Sequence, residues 1–207
     1  MSTARERELK YLYYALTQTP QLPEGWSLGE EAAPLTLQDT YLDHAGLLNA
    51  RGWSLRRREI NGGETGYTLK RSAKTVGALH SREEVEALAR NASGATSASA
   101  LPAEISDLIV DEFGAELTTQ LQPTVTLTQQ RRTWPLMHTG VTVAICSIDQ
   151  VQSASDAWSE LEIEFLTSLG EEKVAQLAKE IDDALRNEPG VSPSTESKAE
   201  RARRLAL

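Results

Sequence analysis

Residues Arg5–Leu16 read RERELKYLYYAL. Glu6, Glu8 and Lys10 alternate with Arg7, Leu9 and Tyr11, and Tyr13 continues the second series. The period is two, the repeat of a β-strand whose successive side chains point to opposite faces. One face is charged; the other carries Leu9, Tyr11 and Tyr13. A single strand of this kind reads as the solvated side of a sheet. The fold turns on whether other strands repeat the pattern.

They do. In WSLRRREI (53–60), Ser54, Arg56 and Arg58 share one face, opposite Trp53, Leu55 and Arg57. In GYTLKRSA (66–73), Gly66, Thr68 and Lys70 lie opposite Tyr67 and Leu69. In TLTQQRRTW (126–134), Leu127, Gln129 and Arg131 share a face, and a bulge there would present Arg132 instead. In AWSELEIEF (157–165), Glu160, Glu162 and Glu164 lie opposite Leu161, Ile163 and Phe165, and Asp149 ends the strand before. Glutamates dominate the first and last strands, Arg and Lys the middle ones. Charges segregated in this way imply strands facing one another across a polar interior, as in a closed or nearly closed barrel.

Between these strands, Asn61-Gly62-Gly63 signals a hairpin turn. TLQDTYLDH (36–44) reads as a strand and AGLLNARG (45–52) as a helical turn stopped by Gly52. In SREEVEALARN (81–91), Ser81 and Glu84 form a capping box, which predicts a helix. A small, polar segment at 91–103 reads as a linker between halves. Two amphipathic helices follow from apolar spacing, one with Ile105, Leu108, Ile109 and Phe113, the other with Val174, Leu177, Ile181 and Leu185. ELTTQ (116–120) reads as the start of the strand continuing through Trp134. Residues 188–207 read as a Pro/Ser-rich turn and a basic helical tail, with Arg201, Arg203 and Arg204 solvated. Long strands with few helices predict an α+β, mainly antiparallel architecture in one domain over 1–207.

The formal net charge of −9 argues against sequence-independent nucleic-acid binding, which needs a broad cationic face. The single cysteine, Cys146, forms no intrachain disulfide and reads as a small buried hydrophobe. With three scattered histidines it makes no zinc site. No secretory leader or membrane span is evident, so a cytoplasmic location is expected. The sequence leaves oligomeric state open; a homodimer would have to use an apolar helix face.

Candidate interior acids are Glu6, Glu8, Asp149, Glu160, Glu162 and Glu164; candidate bases are Lys10, Arg56, Arg58, Lys70, Arg131 and Lys198, six of each. Buried charges persist only when paired or neutralised by metal. Guanidinium forks match phosphate oxygens, and carboxylate clusters suit hard cations such as Mg²⁺ or Mn²⁺. The residues therefore predict a pocket for a metal-complexed oligophosphate.

ERELK (6–10) fits E-x-E-x-K, and TYLDHAGLLNARGWSLRRRE, YTLK, RRTW, SIDQV, SELEIEF and SKAERA follow in order. Together these segments resemble the CYTH superfamily, the triphosphate tunnel metalloenzymes, from about Glu6 to Arg201. The resemblance implies an eight-stranded antiparallel tunnel with peripheral helices and no following CHAD domain. It implies metal ligation by Glu6, Glu8, Glu160, Glu162 and Glu164. It implies triphosphate binding by Lys10, Arg56, Arg58, Lys70, Arg131 and Lys198, with Lys198 closing over the tunnel and Arg201 assisting. Glu6, Glu8, Lys10, Lys70 and Asp149 carry the implied catalysis, with Asp149 as the tunnel aspartate.

The activity implied is metal-dependent hydrolysis of a triphosphate, inorganic triphosphate first. Class IV adenylate cyclase, nucleoside or thiamine triphosphatase, and a non-catalytic polyphosphate- or nucleotide-binding module are the alternatives. A tryptophan that packs on thiamine would stand where this chain has Ser54, with Trp53 facing the other way, which weighs against thiamine triphosphate.

Overall fold

The computed structural model describes residues 4–14, 18–76, 78–88 and 101–205. Its strands are β1 (Ala4–Tyr13), β2 (Trp26–Leu28), β3 (Leu35–Asp43), β4 (Ser54–Ile60), β5 (Glu64–Val76), β6 (Leu79–Leu88), β7 (Gln122–His138), β8 (Val141–Gln152), β9 (Ala157–Phe165) and β10 (Val191–Pro193). Its helices are α1 (Leu47–Ala50), α2 (Ala103–Phe113), α3 (Ala115–Gln120), α4 (Glu171–Leu185) and α5 (Lys198–Leu205). Eight strands run antiparallel in the order β1-β6-β5-β4-β3-β7-β8-β9, and β9 pairs back onto β1 to close a barrel. The short β2 and β10 add to β7 and β1 from outside that ring.

Alternation along each strand turns this barrel inside out relative to a packed core. Leu9, Tyr11, Leu161, Ile163 and Phe165 point outward and meet Val174, Leu177, Ala178, Ile181 and Leu185 of α4. Each large side chain so buried contributes about 1.5–3 kcal/mol. Glu171 and Glu172 sit in the first turn of α4, where negative charge complements the helix dipole. On the other flank, Trp53, Leu55, Tyr67, Leu69 and Val85 pack beneath Ile105, Ile109 and Leu117 of α2 and α3. The apolar stripes of α2 and α4 are thus spent on the barrel wall.

Tight turns set the strand register. Asn61 and Gly62 take φ of 50° and 69° between β4 and β5, and Thr139 and Gly140 take 50° and 82° between β7 and β8. Consecutive left-handed residues give the turn whose twist matches a hairpin.

Several expectations need correction. The segment 81–88 is not a helix; it is most of β6, hydrogen-bonded to β1 on one side and β5 on the other. Two ladders outweigh the local helical preference of Glu, Ala and Leu. ELTTQ belongs to α3, and β7 begins only at Gln122. The turn-rich segment after β1 contains the strand β2. Of the expected linker, residues 91–100 lie outside the described residues, while Ala103 already opens α2. Arg201 is not solvated: its side chain is 12% exposed and reaches Glu160 and Glu196.

The basic tail is a plug. Ala199 and Ala202 of α5 pack on Tyr41, Leu127 and Val151 inside one end of the barrel. Small residues one turn apart let the helix backbone enter where larger side chains would not fit. Lys198, the first residue of α5, is thereby carried into the lumen.

Candidate functional site

The lumen holds a cavity of about 240 Å³ lined almost wholly by charged and polar side chains. Strand β1 supplies Glu6, Glu8 and Lys10; β4 supplies Ser54, Arg56 and Arg58; β5 supplies Thr68 and Lys70. Strand β6 adds Arg82, Glu84 and Glu86, β7 adds Arg131, β9 adds Glu162 and Glu164, and α5 adds Lys198. Among the described residues Tyr41 is the one aromatic side chain on this wall.

Two aspartates behind the wall aim the arginines. Asp39, fully buried, accepts from Arg58 Nε at 2.7 Å and Nη2 at 2.8 Å, from Gln129 at 2.6 Å and from Arg56 at 3.5 Å. Burial alone would raise this carboxyl, but Arg56 and Arg58 override it and hold it at about 2. Asp149, also fully buried, takes the fork of Arg131 at 2.7 and 2.6 Å and meets Lys198 Nζ at 2.9 Å. Burial pushes its carboxyl up and these two cations pull it below the usual range.

The remaining acids and bases interleave. Lys10 Nζ lies 3.2 Å from both Glu8 and Glu162. Lys70 Nζ is 2.6 Å from Glu6 and 3.4 Å from Glu84. Lys198 Nζ is 2.6 Å from Glu162 and 3.5 Å from Glu160. Despite its burial, Glu162 is held well below the ordinary carboxylate range by Lys198, Lys10 and Arg131.

The segregation of sign by strand is real, yet the register undoes it. Glu6 faces Arg82, Lys10 faces Glu162, Lys70 faces Glu84, and Arg131 faces Asp149 across adjacent strands. Glu8 and Glu164 are an exception, opposite each other on β1 and β9. Glu164 is reached by water at the barrel mouth but surrounded by protein; that partial burial and the neighbouring Glu6 push its carboxyl up to about 7.

Most of the expected site residues therefore meet in one cavity. Arg131 points into it, whereas Arg132 pairs with Glu31 outside and stacks over Trp134. Two residues stand apart. Asp149 supports Arg131 and Lys198 from behind. Glu160 is fully buried, accepts from Trp158 Nε1 at 2.7 Å and does not border the cavity. Burial raises its carboxyl against the pull of Lys198.

Sequence reasoning missed Asp39, Arg82, Glu84 and Glu86. The signal for the last three was period-two alternation: His80, Arg82, Glu84 and Glu86 against Ser81, Glu83, Val85 and Ala87. Tyr41-x-Asp43 lay within the matched motif, and Asp43 is a cap: its carboxylate accepts the backbone N–H groups of His44, Leu48 and Asn49. Trp53 faces outward as expected, edge-on to Phe113 at 5.1 Å.

A hard divalent cation fits the chemistry of the donors. Glu6 Oε2 is buried with no hydrogen-bond partner, and Glu8 and Glu164 oppose each other as like charges. Among the described residues no three acidic, His or Cys side chains converge as a ready-made cage. The carboxylates are instead drawn onto Lys10, Lys70 and Arg82.

Comparison with known proteins places this architecture. HpAC1 from Hippeastrum, a candidate adenylyl cyclase whose dominant activity is that of a triphosphatase, superposes with a TM-score of 0.67 at 19% identity, over 96% of this chain and 95% of that one. A candidate adenylate cyclase from Bacillus halodurans gives 0.63 at 20% identity over 97% and 98%. The PH1819 protein of Pyrococcus horikoshii gives 0.56 at 14% identity over 95% and 98%. At these identities the likeness is one of fold. No curated protein matches by sequence. The family described as CYTH domain matches residues 4–202, from the first barrel strand to the plug helix, and the chain belongs to that family.

Proposed function

We propose that the chain is a metal-dependent triphosphatase that hydrolyses inorganic triphosphate to pyrophosphate and phosphate. The observation that carries this is the cavity: Lys10, Arg56, Arg58, Lys70, Arg82, Arg131 and Lys198 all reach one lumen of about 240 Å³ that also holds carboxylates. That volume lies below the roughly 300–1,000 Å³ of pockets that enclose organic ligands. Among the described residues the wall offers no apolar platform for a base or thiazolium ring beyond Tyr41. The Hippeastrum protein's triphosphatase activity is consistent with this choice.

Glu6, Glu8, Glu162 and Glu164 are the residues that would hold Mg²⁺ or Mn²⁺. When bound, such an ion would draw charge from phosphate oxygens and acidify a water molecule. Arg56, Arg58 and Arg131, each oriented by a buried aspartate, bind oxygens of the polyphosphate in fixed directions. Lys10 and Lys198 supply compact positive charge beside Glu162. Water adds to the terminal phosphorus and gives up a proton to solvent, the bond to the bridging oxygen breaks, and the developing negative charge on leaving pyrophosphate falls among these cations. No cation needs to be created: Lys10 and Lys198 exchange a carboxylate partner for a phosphate oxygen, while Arg58 and Arg131 keep their buried aspartates.

Purified protein should release phosphate from inorganic triphosphate with Mg²⁺ or Mn²⁺, stop with EDTA, and fall at least about 100-fold in Glu8→Gln. ATP, GTP and thiamine triphosphate run alongside should be poorer substrates. Cyclic AMP from ATP without phosphate release from triphosphate would overturn the assignment in favour of a cyclase. Tight triphosphate binding with no turnover under either metal would favour a binding module.

A further inference from the structure

Two carboxylates assigned above to metal binding share one guanidinium. Arg82 on β6 reaches between Glu6 and Glu8 on β1, its Nε 3.5 Å from Glu6 Oε2 and its Nη2 3.3 Å from Glu8 Oε1. The ladder sets Arg82 directly opposite Glu6. Burial keeps bulk water away, with Arg82 9%, Glu6 6% and Glu8 3% exposed.

The fit is loose. Arg82 Nε and Glu6 Oε2 are each buried without a hydrogen-bond partner. Arg58, by contrast, closes both arms of its fork on Asp39 at 2.7 and 2.8 Å. Arg82 neutralises its two carboxylates without being locked to them. Arg82 also borders the cavity.

We propose that Arg82 is a resident counter-cation that positions Glu6 and Glu8 and sets the divalent-ion affinity by competing for both carboxylates. The proposal rests on the reading of Glu6 and Glu8 as metal-holding residues. Lys70 meets Glu6 and Lys10 meets Glu8, but Arg82 is the cation that reaches both of them, beside the like-charged Glu8 and Glu164 pair. With Arg82 in place, an incoming divalent ion meets a fixed positive charge at close range and binds weakly. A polyphosphate oxygen that takes over the guanidinium removes that repulsion. Metal and polyphosphate then load cooperatively, each raising the affinity for the other.

Calorimetric titration of Mn²⁺ alone into the full chain tests this without turnover. Arg82→Gln should bind Mn²⁺ on the order of tenfold more tightly than the parent, because one nearby positive charge is gone. Arg82→Lys, which keeps the charge, should stay within about twofold of the parent. Should Arg82→Gln fail to fold, Arg82→Met keeps the aliphatic stem and carries the same expectation. Unchanged or weaker Mn²⁺ binding in the neutral variant overturns the proposal, as does a Lys variant that behaves like the neutral one. Glu8→Gln separates the two layers. If it binds Mn²⁺ as the parent does, the metal assignment itself falls; if binding depends on Glu8 but not on Arg82, only the counter-cation role falls.

Discussion

Arg58 and Asp39 face each other across β4 and β3 and close a two-point contact, Nε to Oδ1 at 2.7 Å and Nη2 to Oδ2 at 2.8 Å. Asp39 is fully buried, so this pair is a fixed part of the wall rather than a surface ion pair. Its geometry presents the far side of the guanidinium to the lumen.

Asp39→Asn should destabilise the barrel by about 3 kcal/mol, because Arg58 and Arg56 lose their buried counter-charge. Urea denaturation would measure it. The pH dependence follows from the depressed carboxyl, near 2 against an ordinary 3.8. Its stabilisation, roughly 2 kcal/mol, is complete above the ordinary value and is lost as pH falls through the depressed one. The parent should therefore lose stability more steeply than Asp39→Asn between about pH 4 and 2.

Lys198→Met should leave Asp149, Glu160 and Glu162 short of a shared cation. Breaking a buried charge cluster on one side costs about 3–5 kcal/mol, read as a lower urea midpoint. Triphosphate turnover, measured as kcat/KM for phosphate release, should fall at least about tenfold.

Arg131 and Arg132 are adjacent in sequence and opposite in role. Arg131→Ala removes a side chain paired with Asp149 and Glu162 and should abolish most turnover. Arg132→Ala removes a partly exposed pair with Glu31 and should change stability by less than about 1 kcal/mol with turnover retained. Equal losses in both variants would contradict the register of β7.

Ile181→Ala, in the middle of the buried face of α4, should cost about 2–5 kcal/mol in unfolding free energy. Because α4 lies outside the barrel, Mn²⁺ affinity of the folded fraction should stay unchanged. Calorimetry at a temperature well below the melting transition would check both.

The barrel was legible where strands alternate cleanly, as in β1, β4 and β9, and where Asn61-Gly62 marks a hairpin. β6 was not, because SREEVEAL carries helix-forming residues and a capping-box pattern, while the ladders that decide it come from distant β1 and β5. Asp39 was overlooked for a related reason. The first aspartate in LQDTYLD looks like a solvated charge, and nothing local shows that Arg56 and Arg58 lie beside it. The inference from sign segregation was half right: the charges do share an interior, but the register pairs most of them there. Arg201 misled because α5 enters the barrel, a long-range packing event carried by two alanines.

The outward core and inward charges occupy alternate positions of the same strands. Odd residues of β1, such as Leu9 and Tyr11, hold the fold, and even ones, such as Glu8 and Lys10, line the lumen. Parity therefore divides the gene's burden between staying folded and handling charge. A one-residue deletion inside β1 would exchange the two sets at once, sending tyrosines into the lumen and glutamates beneath α4. Substitutions can drift independently on either parity, whereas length changes within barrel strands should be barred, and insertions confined to the connections between them.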